Sequence, residues 1–197
     1  MIYTNINDMF LDIVPPGVFA KLNKDDLKPL YDLAEQIESS FKETNIAPGF
    51  KSMNNRLAGN ITRQVELNED YRLVIDNILD PVLKKHIDNY SYFKDQSTLD
   101  GDAPIALTQA WMVLQEKYEF NPVHSHSGVF SFVIWLKIPY NKEDELNHPI
   151  SVQSNTGCAG QFSYFTLDQF FSGNIATHFI ETGKELEGSA FLFPSRM

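Results

Sequence analysis

The chain has 197 residues, 43% of them hydrophobic and 21% charged, with 15 Phe, eight Tyr and a formal net charge of −10. That length holds one domain with a sizeable core, and the acidic balance excludes a nucleic-acid partner, whose phosphates need clustered Lys and Arg. The single cysteine, Cys158, excludes an internal disulfide framework and a cysteine-based zinc site.

The N-terminal stretch "MIYTNINDMFLDIVPPG" has no basic region and no long apolar core, so no signal peptide is expected. No apolar run reaches the roughly 18 residues of a membrane span. A cytoplasmic, reducing location follows as the expectation. "FLDIVPPGVFAKL" reads as a short strand, a Pro-Pro-Gly break and a second extended piece. Asn23 is placed to cap a helix, with Asp25 and Asp26 in its first turn, where the helix dipole favours negative charge. Leu27, Leu30, Ala34, Ile37 and Phe41 then recur at helical spacing and predict one buried face.

"TNIAPGFKSMNNRLAGN" is turn-rich and irregular. From Glu69 to Tyr90 the pattern is helical again, through Val74, Ile75, Ile78, Leu79, Val82, Leu83 and Ile87. Asp80-Pro81 suits an N-cap followed by proline at a first helical position, which predicts two helices in tandem or one with a kink. "DQSTLDGDAPI" is expected to be a loop. After Leu107 the texture changes to aromatic and β-branched runs: "LTQAWMVLQEKYEF", "GVFSFVIWLKIP", "QFSYFTL" and "GSAFLF", with "HFIETG" a weaker strand between the last two. Loops rich in Asn, Gly and Pro separate them, as in an antiparallel sandwich or barrel. The expected layout is a single domain over 1–197, mainly β with N-terminal helices (α+β). Residues 1–100 would pack strands and helices on a β core formed by 105–197.

Within "NPVHSHSG" the residues His124 and His126 are spaced by one. On a strand, side chains alternate between faces, so both imidazoles would point the same way and approach one metal ion. Pro122 favours an extended backbone before the pair, and Gly128 permits a bulge or close approach after it. Imidazole suits iron, zinc, copper or nickel alike. Such a pair is also common as ordinary hydrogen-bonding surface, and spacing alone does not separate the two readings.

"WMVLQEKYEFNPVHSHSGVFSFVIWLKIP" resembles the core motif of the iron(II)- and 2-oxoglutarate-dependent oxygenases, in their small phage-type and bacterial branch. The tail "ELEGSAFLFPSRM" resembles the same family's closing motif, so the likeness covers roughly Trp111 to Met197. The resemblance implies a double-stranded β-helix, or jelly roll, around one iron. Its 2-His-1-carboxylate site leaves positions open for 2-oxoglutarate and dioxygen. The implied reaction decarboxylates 2-oxoglutarate to succinate and carbon dioxide and hydroxylates an unactivated C–H bond. The substrate would be a protein side chain such as proline, or a small metabolite.

Two departures qualify the resemblance. The family's usual pattern is His-x-Asp or His-x-Glu, and here the second position is His126. A neutral ligand there would leave the metal with one more positive charge. The family's distal histidine, its 2-oxoglutarate-binding basic residue and its last strand would all fall beyond Met197. The sequence therefore reads as a C-terminally truncated member with weak iron binding and little turnover. His178, in "NIATHFIETG", is the best internal substitute for the missing ligand.

Gln115 and Trp135, with Trp111, would line the co-substrate pocket if they face inward; otherwise the tryptophans are core. Arg196 has the right geometry for a carboxylate but precedes the expected distal position. Cys158 reads as a buried or loop thiol, His148 as solvated and His86 as structural. Two other readings stand beside the oxygenase. One is a cupin-like metalloprotein, although Val129, Phe130 and Ser131 occupy the region of the expected glutamate. The other is a non-catalytic jelly-roll module for binding or structure. A truncated jelly roll exposes sheet edges that another chain could cover, so a homodimer would be unsurprising.

Overall fold

The computed structural model describes residues 3–6, 9–14, 17–43, 49–89, 105–156, 158–168 and 174–195. Among them the fold is mixed α and β, with three helices and three antiparallel sheets. Two compact units emerge, one formed by Met1–Lys21 with Ser127–Met197 and the other by Leu22–His126. This partition differs from the sequence-based one. The N-terminal strands join the C-terminal β segment, while the chain leading to the histidine pair belongs with the helices.

The first unit is built on a five-stranded antiparallel sheet. Its strands are β1 (Tyr3–Ile6), β2 (Met9–Val14), β3 (Gly17–Lys21), β7 (Phe130–Trp135) and β10 (Ser189–Pro194), in the order β1-β2-β3-β10-β7. The expected break between two extended pieces is therefore a hairpin, with Ile13 opposite Val18 and Val14 opposite Gly17. Strand β10 is central. Its Phe191 stands opposite Phe19 on one side and Val133 on the other. Gly17 is required here, because a Cβ at that position would lie 2.4 Å from the Phe191 ring and 2.8 Å from the Leu192 carbonyl oxygen.

A second ribbon, β8 (Phe162–Asp168) with β9 (Asn174–Ile180), supplies the other layer. Phe162, Tyr164 and Ile180 share one face of it by strand alternation. That face packs against Phe19, Trp135, Phe191 and Phe193 of the sheet. In chain order, β7 and β10 form an outer antiparallel pair and β8 and β9 an inner one, so a long two-stranded ribbon folds over on itself around an aromatic core. Helix α3 (Lys142–Leu146) and a 3-10 turn (Lys184–Leu186) lie in the connections. The amine of Lys21 secures that turn by donating to the carbonyls of Glu185 and Glu187.

In the second unit, α1 (Lys24–Glu43) starts as the sequence predicts. The Asp25 amide donates to Asn23 Oδ1 at 3.0 Å, and Leu27, Leu30 and Ile37 are buried. Leu33, not singled out in the sequence, is buried with them. Helix α2 (Glu69–Asn89) runs unbroken through Pro81. The proline is exposed while Ile75, Leu79 and Val82 are buried, so the backbone bond that it removes lies on the solvent side and the apolar face continues. A small sheet of β4 (Lys51–Ser52), β5 (Gln64–Glu66) and β6 (Trp111–Val113) completes the unit. No helix is long and apolar enough to cross a membrane, among the described residues. Most of the predicted "DQSTLDGDAPI" loop, Tyr90 and Arg196 lie outside the described residues.

Candidate functional site

All five predicted β runs after Leu107 contain strands, but the histidine pair is on none of them. Strand β6 ends at Val113 and β7 begins at Phe130; residues 121–127 between them have no regular structure. The strand-alternation argument for the pair therefore does not apply. The imidazoles meet nonetheless, with ring centroids 4.6 Å apart and planes at 38°.

The approach to the pair is held by the small sheet. The Asn60 amide donates to the Phe120 carbonyl, an isolated bridge that extends the edge beside β5. Pro122 then turns its carbonyl toward His124, whose Nδ1 lies 2.7 Å from it. A carbonyl only accepts, so Nδ1 carries the proton and neutral His124 holds its lone pair on Nε2. Metal-bound histidines fix their tautomer in this way. His126 is half-buried, and burial, followed by the charge on His124, pulls its pKa below the ordinary histidine value. The burial of His126 favours its neutral imidazole.

The separation fits shared ligation. Imidazoles bound at about 2.1 Å through one nitrogen place their ring centres about 3.2 Å from an ion, hence about 4.5 Å apart at a right angle. Among the described residues, no group of three or more His, Cys, Asp or Glu side chains is arranged to hold a metal ion, so the two imidazoles stand without a third such donor beside them.

The other sequence candidates are placed as follows. Gln115 is exposed, and its amide donates to the Glu119 carbonyl at 2.6 Å within a turn. Trp135 belongs to the aromatic core of the first unit, stacked on Phe19 and edge-on to Phe162. His178 is in that unit too. Its Nε2 lies 2.8 Å from Thr166 Oγ1 and its ring stacks on Tyr164 at 4.8 Å, so it stands on the core-side face of the β8–β9 ribbon. Trp111 is half-buried on β6, Cys158 is an exposed free thiol and His148 lies in the turns after α3. His86 is a residue of α2.

Sequence reasoning missed the turn that precedes the pair. Glu119 accepts three hydrogen bonds there, from the Thr62 amide at 2.8 Å, the Thr62 hydroxyl at 2.7 Å and the Glu116 amide at 2.8 Å. Burial alone would raise its carboxyl, but those bonds and the nearby Arg63 charge hold it below the usual carboxylate value. Arg63 pairs with Glu116 and lies over the Phe41 ring at 5.9 Å. In the same turn, Tyr118 has φ of 72°, a left-handed conformation that a tyrosine rarely adopts. The sequence places "QEKYEF" within a β run, and nothing in it tells that a turn begins there or which of its two glutamates folds back. No protein-family model, no curated protein and no solved structure matches this chain.

Proposed function

We propose that the chain is a metal-binding, jelly-roll-type protein of the iron(II)/2-oxoglutarate oxygenase kind, with His124 and His126 as two of its metal ligands. The observation that carries this reading is the convergence of the two imidazoles, with His124 Nδ1 tied to the Pro122 carbonyl so that Nε2 is left to donate. The folded-over ribbon of β7, β8, β9 and β10 supports the jelly-roll part of it, since a jelly roll is such a ribbon wound into two facing sheets.

In this reading, the loop from Phe120 to His126 orients the ligands. The Pro122 carbonyl fixes one tautomer, and the partial burial of His126 discourages its protonation. Iron, when bound, supplies dioxygen activation coupled to decarboxylation of 2-oxoglutarate. The result is hydroxylation of a protein side chain or a small metabolite. The free thiol of Cys158 goes with a reducing, cytoplasmic setting. The cupin-like reading shares the same two ligands and is favoured by one feature, a second histidine where the oxygenases have a carboxylate.

Anaerobic loading with Fe(II), followed by 2-oxoglutarate, separates these readings. Bound iron together with a weak visible charge-transfer band, lost in His124→Ala, supports the oxygenase. Bound metal without the band favours the cupin. Absence of binding for Fe(II), Co(II) and Ni(II) refutes the metal site and leaves a non-catalytic module.

A further inference from the structure

We propose that Glu119 is a positioning residue for the histidine pair, its carboxylate clamping the turn at 116–119 to Thr62 and so fixing where the His124–His126 loop leaves the sheet. This rests on the metal-site reading above and adds a residue to it.

The geometry is specific to a carboxylate. One oxygen accepts both the amide and the hydroxyl of Thr62, and the other accepts the Glu116 amide. Glutamine has one acceptor oxygen, and its amino group would face a backbone N–H. Aspartate is one methylene too short to span both partners. Thr62 directly precedes Arg63, whose carbonyl accepts the Leu114 amide, so the clamp extends the β5–β6 pairing into the turn.

The clamp also holds a conformation that the turn would otherwise resist. The Glu119 amide donates to the Glu116 carbonyl across Lys117 and Tyr118, and Tyr118 occupies the left-handed region. Strain of that kind persists only where the surroundings impose it. Here the surroundings include the three bonds to Glu119 and the Gln115 amide on its carbonyl. Phe120, the next residue, pairs with Asn60, and Pro122 follows two residues later with the carbonyl that orients His124. The carboxylate sets the start of the loop that carries the imidazoles.

The test is Co(II) titration of the full chain, read by visible absorbance, for the wild type and for Glu119→Gln, Thr62→Val and Thr62→Ser. Losing supporting bonds behind metal ligands costs about 10–100-fold in affinity, so Glu119→Gln is expected to weaken Co(II) binding at least tenfold. Thr62→Val should cost less and Thr62→Ser should restore the wild-type value. Glu119→Gln loses the stability that its carboxylate adds near neutral pH, so its thermal midpoint should fall modestly while the chain stays folded at the titration temperature.

Histidine C–H resonances without metal give a second readout. Those of His124 and His126 should shift in Glu119→Gln, while that of His178 stays in place. Unchanged affinity with unmoved resonances overturns the clamp. So does an affinity loss matched by unfolding at the titration temperature. If the wild type takes no Co(II), the metal-site reading fails, and the resonances alone decide whether Glu119 positions the loop.

Discussion

Replacing Phe191 by alanine tests the layer arrangement on which the jelly-roll reading depends. The side chain is 0% exposed, and its ring lies 4.6 Å from Phe19, 5.2 Å from Phe193, 5.6 Å from Tyr164 and 6.1 Å from Phe162. Truncating a ring so enclosed costs about 3–5 kcal/mol. For a chain of this size each kcal/mol moves the thermal midpoint by about 2–4 °C, so a fall of about 6–20 °C is expected.

The sharper measurement is the coupling of Phe191→Ala with Phe162→Ala. Phe162 is on the β8–β9 ribbon, Phe191 is on the five-stranded sheet, and their rings meet edge to face. Such pairs are worth about 0.5–1.5 kcal/mol beyond their burial, and contacting residues fail to add by comparable amounts. Urea unfolding followed by tryptophan fluorescence reports this core alone in a Trp111→Phe background, because Trp135 is then the only tryptophan and sits among these rings. Additive losses, within about 0.3–0.5 kcal/mol, would show that the ribbon does not pack on the sheet. The folded-over arrangement would then be refuted whatever the size of either single loss.

Gly17→Ala should destabilise the first unit by about 1–3 kcal/mol, the usual range for overpacking, since the new methyl meets the Phe191 ring and the Leu192 carbonyl; a urea midpoint equal to that of the wild type would refute the close approach of β3 to β10. The Glu119 carboxyl has a lower pKa folded than unfolded, so its stabilisation is complete above about pH 5–6 and fades as the pH falls below the ordinary value near 4.3 toward the lowered one. Arg63 and Glu116 are the charged groups beside it, and Glu119→Gln should therefore shrink the stability difference between about pH 7 and pH 3.5, as read by urea midpoints. His126→Asp would place a carboxylate where the oxygenases carry one; since carboxylate favours Mn(II) and imidazole favours Ni(II), the ratio of Mn(II) to Ni(II) affinity should rise about tenfold by competitive titration, and an unchanged ratio would show that position 126 is not a ligand.

Local patterns with a strong physical period were legible. The apolar positions of α1 and α2, the Asn23 cap and every strand after Leu107 follow from spacing, turn residues and β-branched or aromatic content. Pro81 left two helices or one kinked helix open, because a proline rule read along the chain takes no account of which side of the helix the residue occupies; the structure has a single helix there. The pairing of N-terminal strands with β10 was not legible at all. It depends on Gly17 fitting under Phe191, a contact between residues 174 positions apart. At the candidate site, the two histidines were visible while the reason that they meet was not. A strand would have aligned them by alternation; here a proline carbonyl and a loop do it.

That difference bears on how the pair would serve a metal. On a sheet, ligands inherit the rigidity of many ladder bonds. In a loop, each ligand is only as fixed as the few bonds that anchor its ends, so metal affinity becomes sensitive to residues that never reach the ion. The strained backbone at Tyr118, the three bonds to Glu119 and the Asn60–Phe120 bridge are all spent within ten residues of His126. Exposed side chains crowd the same stretch, with Tyr118 at 68%, Phe120 at 55% and Val123 at 76% exposure. The same segment thus combines a tightly bonded backbone with large apolar side chains left in water. Core packing of those side chains therefore does not hold this loop; the hydrogen bonds at its start do. A substitution among those donors and acceptors should consequently act on the imidazoles before it acts on the fold.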